Sequence, residues 1–339
     1  MDLDKINQVF EKFNNKSILV IGDVMIDCYI TGKVTRISPE APVPIVNAES
    51  RNYRLGGAAN VALNLKSLGA KPILCSVIGS DNKAKIFYSM MEDCDLDSVG
   101  LVPMYGHRTT VKYRIIGNNQ QIVRVDDERD EQLKEREKRQ FITTVEQIID
   151  HQQIDGIVFE DYDKGLFSRD LIEEIISFAH NKNIFIAVDP KKRNFNNYES
   201  VDLFKPNLKE LAAGLNLEDN LELTLDDIHK LAKQFAQEKK IKMVMITMAA
   251  KGIAFYDSVN DKFYHHAAFQ RRVSDVSGAG DTVISVATLY LMSEQTIEDT
   301  CLAANLAGGL VCEYVGVVPI NSAQLKNEIL KNQESAELQ

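Results

Sequence analysis

The feature that most constrains the fold is a series of short, almost entirely apolar runs separated by helix-like segments. These runs are rich in β-branched residues and occupy residues 17–22, 72–79, 156–159, 184–189 and 243–247. Strands that are apolar on both faces belong in the middle of a parallel sheet that helices cover. Because strands alternating with helices form βαβ units, the pattern predicts an α/β fold with a doubly wound, mostly parallel sheet and helices on both faces.

The segments between the apolar runs have the spacing of amphipathic helices. In residues 58–68, apolar side chains recur every three or four positions, and Gly69 follows as a C-terminal stop. The same spacing predicts helices over residues 131–150, 168–182, 226–239 and 298–313.

Two stretches interrupt this alternation. Residues 28–48 carry three of the eight prolines and are typical of extended chain, and residues 107–126 have period-two runs around Gly117-Asn118-Asn119, the pattern of a β-hairpin. Together they predict a small antiparallel sheet that serves as a lid or as a dimer surface, with an extension of the main sheet as the alternative. We favour a lid that also forms a homodimer, because a short exposed strand edge invites pairing.

The length allows one large α/β domain with a small appendage, or two domains. We expect one domain over residues 1–330, followed by a polar tail over residues 331–339 that frays. The net charge of −10 argues against a nucleic-acid partner, since such proteins need a basic face. The five scattered cysteines, without a CxxC pair, predict free thiols in a reducing compartment. No signal peptide or membrane-length apolar stretch is present, so we expect a cytoplasmic protein without a membrane partner.

The segment most informative about chemistry is residues 274–292, where Gly278-Ala279-Gly280-Asp281 precedes an apolar helix. Small residues leave the backbone open, and a helix N-terminus offers free N–H groups to an anion. The alternative is a plain helix start capped by Ser277 or Asp281. A carboxylate beside a bound phosphate is repelled unless it takes part in the chemistry, and phosphoryl transfer to an alcohol requires such a proton acceptor. The turn therefore predicts a kinase whose catalytic base is Asp281.

The run DVSGAGD at residues 275–281 resembles the C-terminal signature of the ribokinase-like (PfkB) carbohydrate kinases, in which the last Asp is the base. Residues 56–62 (GGAANVA) resemble the N-terminal signature. That resemblance, which covers nearly the whole chain, implies sugar contacts from Gly56, Gly57 and Asn60. It also implies a sugar-hydroxyl acceptor at Asp27, at the end of VIGDVMID. The chain has neither a P-loop nor the protein-kinase motifs, so the turn before Asp281 would hold the phosphate.

The resemblance extends to the nucleotide side. Residues 207–210 (NLKE) resemble the N-x-x-E motif, which organises magnesium and phosphates largely through water, and residues 247–252 resemble the loop along the nucleotide. The implied cofactors are ATP and Mg²⁺, together with a monovalent cation such as K⁺ that the family often places near the residue matching Asp275. The implied cofactor contacts are Asn207, Glu210, Thr247, Gly252 and Asn305, of which Asn207 and Glu210 serve the metal.

One subgroup of the family is most similar. Residues 36–46 (RISPEAPVPIV) resemble the hallmark of the heptose 7-phosphate kinases of lipopolysaccharide biosynthesis, and the runs GDVMID, GNNQQIVRVD and EDYDKG agree. The resemblance implies transfer of the ATP γ-phosphate to the anomeric hydroxyl of D-glycero-D-manno-heptose 7-phosphate, giving the 1,7-bisphosphate. Many relatives are fused to an adenylyltransferase with an HxGH-type motif. The 339 residues contain no such motif, so we expect no adenylyl transfer from them.

The substrate's own phosphate requires cations, and a solvated surface charge is the alternative for each candidate. Arg124 and Lys164 are favoured because each lies inside a subgroup-like run, and Lys191 because it follows the end of an apolar strand, where ligands collect in open α/β sheets. Further cations are available at Arg36, Lys112, Arg114 and Arg193. Tyr162 is interpreted as a packing residue, and its acidic neighbours Glu160, Asp161 and Asp163 as either sugar contacts or a solvated loop.

Three other functions compete with this prediction. A kinase of the same fold could act on another sugar, sugar phosphate or nucleoside, and a non-catalytic sugar-phosphate sensor would keep the fold for binding alone. An NAD-dependent enzyme is disfavoured because no G-x-G-x-x-G follows the first strand. His265 and His266 do not predict a metal site, because no third ligand stands at metal spacing.

Overall fold

The computed structural model describes residues 3–218 and 222–337. Within them the helices are α1 (Leu3–Phe13), α2 (Ala58–Ser67), α3 (Asn82–Asp93), α4 (Glu135–His151), α5 (Arg169–Asn181), α6 (Leu208–Gly214), α7 (Leu225–Lys239), α8 (Ala279–Met292), α9 (Ile297–Val311) and α10 (Ser322–Glu337). The strands are β1 (Ser17–Gly22), β2 (Val24–Ile37), β3 (Pro44–Gly57), β4 (Lys71–Gly79), β5 (Gly100–Met104), β6 (Thr110–Gly117), β7 (Gln120–Asp127), β8 (Gly156–Glu160), β9 (Phe185–Asp189), β10 (Leu203–Phe204), β11 (Met243–Thr247), β12 (Ile253–Asp257) and β13 (Lys262–His266).

Nine strands form the main sheet in the order β13-β12-β11-β10-β9-β8-β1-β4-β5. Neighbours from β11 to β5 pair in parallel, and only the β11–β12 and β12–β13 pairs, at one edge of the sheet, are antiparallel. All five predicted strands lie in the parallel part. The prediction of a doubly wound, mostly parallel sheet is confirmed.

Helices cover both faces of this sheet because its central strands are apolar on both sides. Successive residues of β1 point in opposite directions. Ile18 and Val20 join the core beneath α2, α8 and α9, whereas Leu19 and Ile21 join the core beneath α4, α5 and α7. Each predicted helix occurs, and the largest difference is that α4 begins four residues later than predicted. It begins there because the Glu137 side chain accepts the Lys134 backbone N–H at 2.8 Å and caps the helix.

The two interrupting stretches form a separate four-stranded sheet in the order β3-β2-β6-β7. The β6–β7 pair is the antiparallel hairpin predicted around residues 117–119. The extended chain predicted over residues 28–48 belongs to a second antiparallel pair, β2–β3, and the inner strands β2 and β6 run parallel. The sheet has no separate linker, since β2 begins two residues after β1 ends and β3 leads directly into α2.

Three predictions about the chain as a whole can be compared with the structure. The tail predicted to start at residue 331 is helical at first, because α10 continues to Glu337. Residues 338–339 lie outside the described residues. The five cysteines carry free thiols, as expected. Among the described residues, no helix combines the length and apolarity that crossing a bilayer requires.

Candidate active site

The turn predicted to hold phosphate starts helix α8 on the carboxyl-end side of the main sheet. Gly278 adopts a left-handed conformation, with φ of 80°, and a Cβ there would lie 2.8 Å from the Asn60 side-chain nitrogen. Only glycine accommodates both constraints without strain. Ala279 and Gly280 follow as the first helical residues. The Ala279 N–H makes a long hydrogen bond of 3.3 Å to the Val276 carbonyl, whereas the Gly280 N–H belongs to the set that a helix N-terminus leaves unpaired. Asp281 lies on this first turn and is buried.

Two hydrogen bonds hold the Asp281 carboxylate. The Asn60 amide donates to Oδ2 at 2.7 Å, and the Tyr162 hydroxyl donates to Oδ1 at 2.9 Å. Burial raises the pKa of Asp281 above its ordinary value, although these two donors stabilise its charged form. A carboxylate that is buried, oriented and more basic than usual suits proton acceptance at neutral pH.

The role of Tyr162 differs from the sequence interpretation. Its ring does pack, with the Lys191 ammonium 5.2 Å from the ring centroid, but its hydroxyl also contacts the predicted base. Nothing in the local sequence indicates this contact, because 119 positions separate the two partners.

Two more buried carboxylates meet Asp281. Glu160 ends β8 and Asp189 ends β9, and one oxygen from each of the three residues lies within 4.8 Å of the others. Burial, together with the charges of Asp189 and Asp281, raises the pKa of Glu160 well above its ordinary value. Both Glu160 side-chain oxygens and Asp189 Oδ1 lack a hydrogen-bond partner within the described structure. Since buried polar atoms are normally paired, these oxygens indicate a place for a ligand.

Lys205 supplies a buried positive charge to this cluster, with Nζ 2.7 Å from Asp189 Oδ2. Lys205 is not among the residues predicted from the sequence. Its one available signal is position, because it directly follows β10 at the edge where the parallel strands end.

The predicted sugar contacts lie where the small sheet joins the main domain. Gly56 is the last residue but one of β3 and pairs with Met25 on β2, and a Cβ on Gly56 would overlap the Asp27 carboxylate. Asp27 is buried and pairs with Arg114 on β6. Gly57 adopts a positive φ of 61° directly before α2, the helix that carries Asn60. The structure thus brings Asp27, both glycines and Asn60 to one side of Asp281.

The N-x-x-E motif forms a capping box at the start of α6. The Glu210 N–H donates to the Asn207 side chain at 2.9 Å, and the Asn207 N–H donates to the Glu210 carboxylate at 2.8 Å. The second Glu210 oxygen accepts from Lys191, which connects this motif to the Tyr162 ring. Thr247 pairs with Asn207 through an isolated β-bridge.

The other predicted nucleotide contacts support neighbouring turns. Gly252 has φ of 89°, and a Cβ there would overlap the His266 carbonyl oxygen. Asn305 on α9 donates to the Ala267 carbonyl at 2.7 Å. Asp275 accepts hydrogen bonds from the Ser277 N–H at 3.0 Å and the Gly316 N–H at 2.9 Å, and so fixes the turn before Gly278.

The two cations favoured for the distal phosphate have different surroundings. The Arg124 side chain on β7 is 51% exposed and makes a two-point contact with Asp126, at 2.9 Å for each nitrogen. Lys164 is more buried and contacts Glu128 at 2.7 Å. No described contact joins Arg124 to Lys164. Among the described residues, one set of three carboxylates lies close enough together to share a metal ion, and it is the Asp281 cluster. His265 and His266 are not part of this set.

Known proteins share both sequence and fold with this chain. The family model described as "pfkB family carbohydrate kinase" matches residues 15–323. The bifunctional protein HldE of Helicobacter pylori (strain HPAG1) is 38% identical over 301 residues, which cover 89% of this chain. The chain spans 64% of that relative's length.

Solved structures agree on the fold. Phosphofructokinase-2 from Escherichia coli in complex with fructose-6-phosphate superposes with a TM-score of 0.75 at 19% identity, covering 94% of this chain and 98% of the other. Arabidopsis thaliana ribokinase complexed with ribose and ATP gives 0.69 at 15% identity, covering 93% and 99%. The family match spans nearly the whole described chain, including the Asp281 turn and the carboxylates that surround it. This chain is therefore a carbohydrate kinase of the PfkB family.

Proposed function

We propose that the chain phosphorylates D-glycero-D-manno-heptose 7-phosphate at its anomeric hydroxyl, using ATP, to give the 1,7-bisphosphate of the ADP-heptose route. The observation that carries the kinase chemistry is the buried Asp281 carboxylate, held by Asn60 and Tyr162 on the first turn of α8. The choice of heptose rests on the RISPEAPVPIV segment and on the HldE relatives, whose 38% identity extends over most of this chain.

In the proposed reaction, Asp281 accepts the proton of the anomeric hydroxyl while the hydroxyl oxygen attacks the γ-phosphorus. The bond from phosphorus to the bridging oxygen breaks, and ADP leaves. The N–H groups of residues 278–280 receive the negative charge of the transferred group. Asp27 and the unpartnered Glu160 oxygens would accept hydrogen bonds from the other sugar hydroxyls, with Gly56, Gly57 and Asn60 completing the pocket.

The residues present fit a magnesium ion, because carboxylate and amide oxygens are the ligands that it prefers. Asn207 and Glu210 would hold it through water, since both Glu210 oxygens already accept hydrogen bonds from protein groups. When bound, Mg²⁺ would offset part of the charge on the phosphates. Thr247, Gly252 and Asn305 would contact the nucleotide, and a K⁺ ion would lie near Asp275.

The substrate's phosphate would meet Arg124 and Lys164, as the sequence resemblance implies. Lys191 is better suited to the transferred phosphate, because its ammonium lies between Glu210 and the ring of Tyr162, which contacts the base. Two copies of the chain would associate through the outer face of the small sheet, where Tyr53, Val123 and Val125 are exposed.

The proposal is tested by ADP release with this heptose phosphate and magnesium ATP. Asp281→Asn should lower kcat by about 10²- to 10⁴-fold, the usual contribution of a general base, while both substrates still bind. The matched control is Asp226→Asn, which removes an exposed carboxylate from the first turn of α7 and should leave kcat unchanged. Full activity of Asp281→Asn would refute the assignment of the base.

A substrate panel separates heptose phosphate from other acceptors of the same family. Rapid turnover of an unphosphorylated hexose, without turnover of the heptose phosphate, would contradict the heptose assignment and leave the kinase assignment intact. Binding of both ligands without any ADP release would favour the sensor.

A further inference from the structure

Two lysines converge on one carboxylate beside the acceptor pocket. Lys112 Nζ lies 3.0 Å from Glu128 Oε2, and Lys164 Nζ lies 2.7 Å from Glu128 Oε1. The lysine side chains are only 13% and 18% exposed, so this bridge is considerably drier than an ordinary surface ion pair. Each ammonium group contacts a different oxygen, and the Glu128 carboxylate therefore lies between two cations.

The bridge flanks the pocket from two sides. Lys112 on β6 stands directly opposite Asp27 in the β2–β6 register, and residues paired in this way project from the same face of a sheet. Lys164 follows two positions after Tyr162, whose hydroxyl contacts Asp281. The backbone N–H groups of Tyr162 and Lys164 both donate to Asp23 Oδ2, at 2.9 and 3.2 Å. This loop connects the lysine pair to the catalytic carboxylate.

Around Glu128, the positive side-chain charges outnumber the negative ones by one. Lys112 also contacts Asp126 Oδ2, at 3.4 Å, and Arg124 binds both oxygens of the same carboxylate. Three cations (Lys112, Lys164 and Arg124) therefore share the two negative charges of Glu128 and Asp126. A phosphate monoester carries a charge of about −1.5 to −2 at pH 7 and presents three acceptor oxygens. It would balance both lysines, which a carboxylate cannot do. An open cleft adjoins Lys164, and Asp23, Arg108, Thr110 and Arg129 also line it.

We infer that Lys112 and Lys164 bind the distal phosphate of the acceptor sugar, and that the Glu128 carboxylate occupies the phosphate's place until substrate displaces it. The inference rests on the proposed function, because it takes the acceptor to be a sugar phosphate. It replaces Arg124 with Lys112 as the partner of Lys164, since Arg124 is half exposed and already paired.

Steady-state kinetics of lysine and glutamate variants provide the first test. Lys112→Gln and Lys164→Gln should each raise the KM for the sugar phosphate by about 10- to 100-fold, because each removes one charge-assisted hydrogen bond. The KM for ATP should not change. Lys112→Arg should remain within a few-fold of wild type, because it keeps the charge. Glu128→Gln should lower the same KM, because the competing carboxylate is gone. The matched control is Lys233→Gln, which breaks a lysine–carboxylate pair with Asp261 and should change nothing.

Direct binding of inorganic phosphate, measured by calorimetry, provides a second test that does not require turnover. Phosphate should bind wild type, bind both lysine variants about tenfold or more weakly, and bind Glu128→Gln more tightly. Equal phosphate affinity in wild type and the lysine variants would overturn the assignment of the subsite. A loss of affinity in Glu128→Gln would overturn the displacement, because Glu128 would then orient the lysines. Wild type could fail to phosphorylate the heptose phosphate while the phosphate affinities still differ among the variants as expected. That result would refute the proposed substrate and support the anion subsite.

Discussion

The carboxylate that we propose as the catalytic base is oriented by two donors on different elements. Asn60 on α2 and Tyr162 in the loop after β8 each contact one oxygen of Asp281. An ionised carboxylate offers about four acceptor positions, so two remain for the proton of a substrate hydroxyl. The two hydrogen bonds lower the pKa of Asp281, whereas burial raises it.

Removing the Tyr162 hydroxyl should therefore change the pH dependence of the reaction. The hydroxyl stabilises the charged form of Asp281, so its loss in Tyr162→Phe raises the pKa of that carboxyl further. A base must be deprotonated to act, and the acidic limb of kcat/KM should move to higher pH by about one unit. The phenyl ring keeps the contact with Lys191. The measurement is kcat/KM between pH 5 and 9.

Tyr256→Phe is the matched control for that profile. Its hydroxyl donates to Asp261 at 2.9 Å, so the variant also removes a tyrosine–carboxylate bond, but one in the β12–β13 hairpin. The control profile should coincide with wild type. An unshifted or acid-shifted limb in Tyr162→Phe would mean that the hydroxyl does not stabilise the charged base.

Local sequence could predict some of these residues and not others. Asp281 and Gly278 stand in one short run whose conformation is local, and Asn60 stands in a second such run. Lys205 belongs to no run that indicates chemistry, and the sequence leaves Glu160 as either a sugar contact or part of a solvated loop. Both residues meet the Asp281 cluster because β8, β9 and β10 end at one edge of the sheet. The Glu128 bridge depends on an approach of side chains 16 and 36 positions apart.

At the scale of elements, the tight turn between β11 and β12 requires glycine for two separate reasons. Gly252 has a positive φ, and its Cα faces the His266 carbonyl on β13. Gly252→Ala should therefore lower the free energy of unfolding through backbone strain and steric overlap together. We expect a loss about 1–3 kcal/mol larger than that of Gly106→Ala.

Gly106 is the matched control because its φ of 85° is nearly the same, but a Cβ there would meet nothing within 4 Å. Urea unfolding of both variants isolates the steric contribution. Equal losses for the two substitutions would show that the overlap at residue 252 relaxes without cost.

The small sheet contains strand pairing that local sequence does not predict. The β6–β7 hairpin follows from alternation around turn residues 117–119 and is formed, whereas residues 28–48 predict extended chain without its partner, which is β3. The parallel pairing of β2 with β6 joins residues about 85 positions apart and depends on how the hairpins dock. That pairing places Lys112 and Arg114 beside the acceptor pocket, which no local pattern indicates.

At the scale of the whole molecule, one buried acid should make stability depend on pH. Burial, reinforced by the charge of Asp161, raises the pKa of Asp23 to about 7, from 3.8. The folded state therefore holds a proton that the unfolded state has lost, and stability falls as pH rises from about 4 to 7. Asp23→Asn lacks this proton. Relative to the variant, wild type should lose up to about 1.4 kcal/mol per pH unit over that range and nothing above it.

Urea unfolding of both proteins from pH 4 to 9 measures this difference. The asparagine can still accept the N–H groups of Tyr162 and Lys164, so the comparison isolates ionisation. Parallel stability curves would mean that Asp23 is ionised in the folded protein throughout.

The proposed dimer makes a second prediction at this scale. Val123 and Val125 expose about half of their surface on one face of β7, opposite to Arg124. A lysine there would be buried without a partner in a dimer and solvated in a monomer. Val125→Lys should therefore raise the dissociation constant measured by sedimentation at least about tenfold. Val259→Lys, an exposed apolar position beyond β12, is the control. Wild type that sediments as a monomer at all concentrations would refute the dimer.

The chain passes directly from β1 into the small sheet, and from that sheet into α2. Insertions and deletions at these two junctions are therefore disfavoured. A residue gained or lost at either junction would shift the register of Asp27 or Gly56, and so would move a proposed sugar contact by one position. The turn between β12 and β13 is exposed at Val259 and Asn260 and carries none of the predicted site residues. Insertions, epitope tags and fluorescent labels are therefore best tolerated at that turn, away from the two junctions.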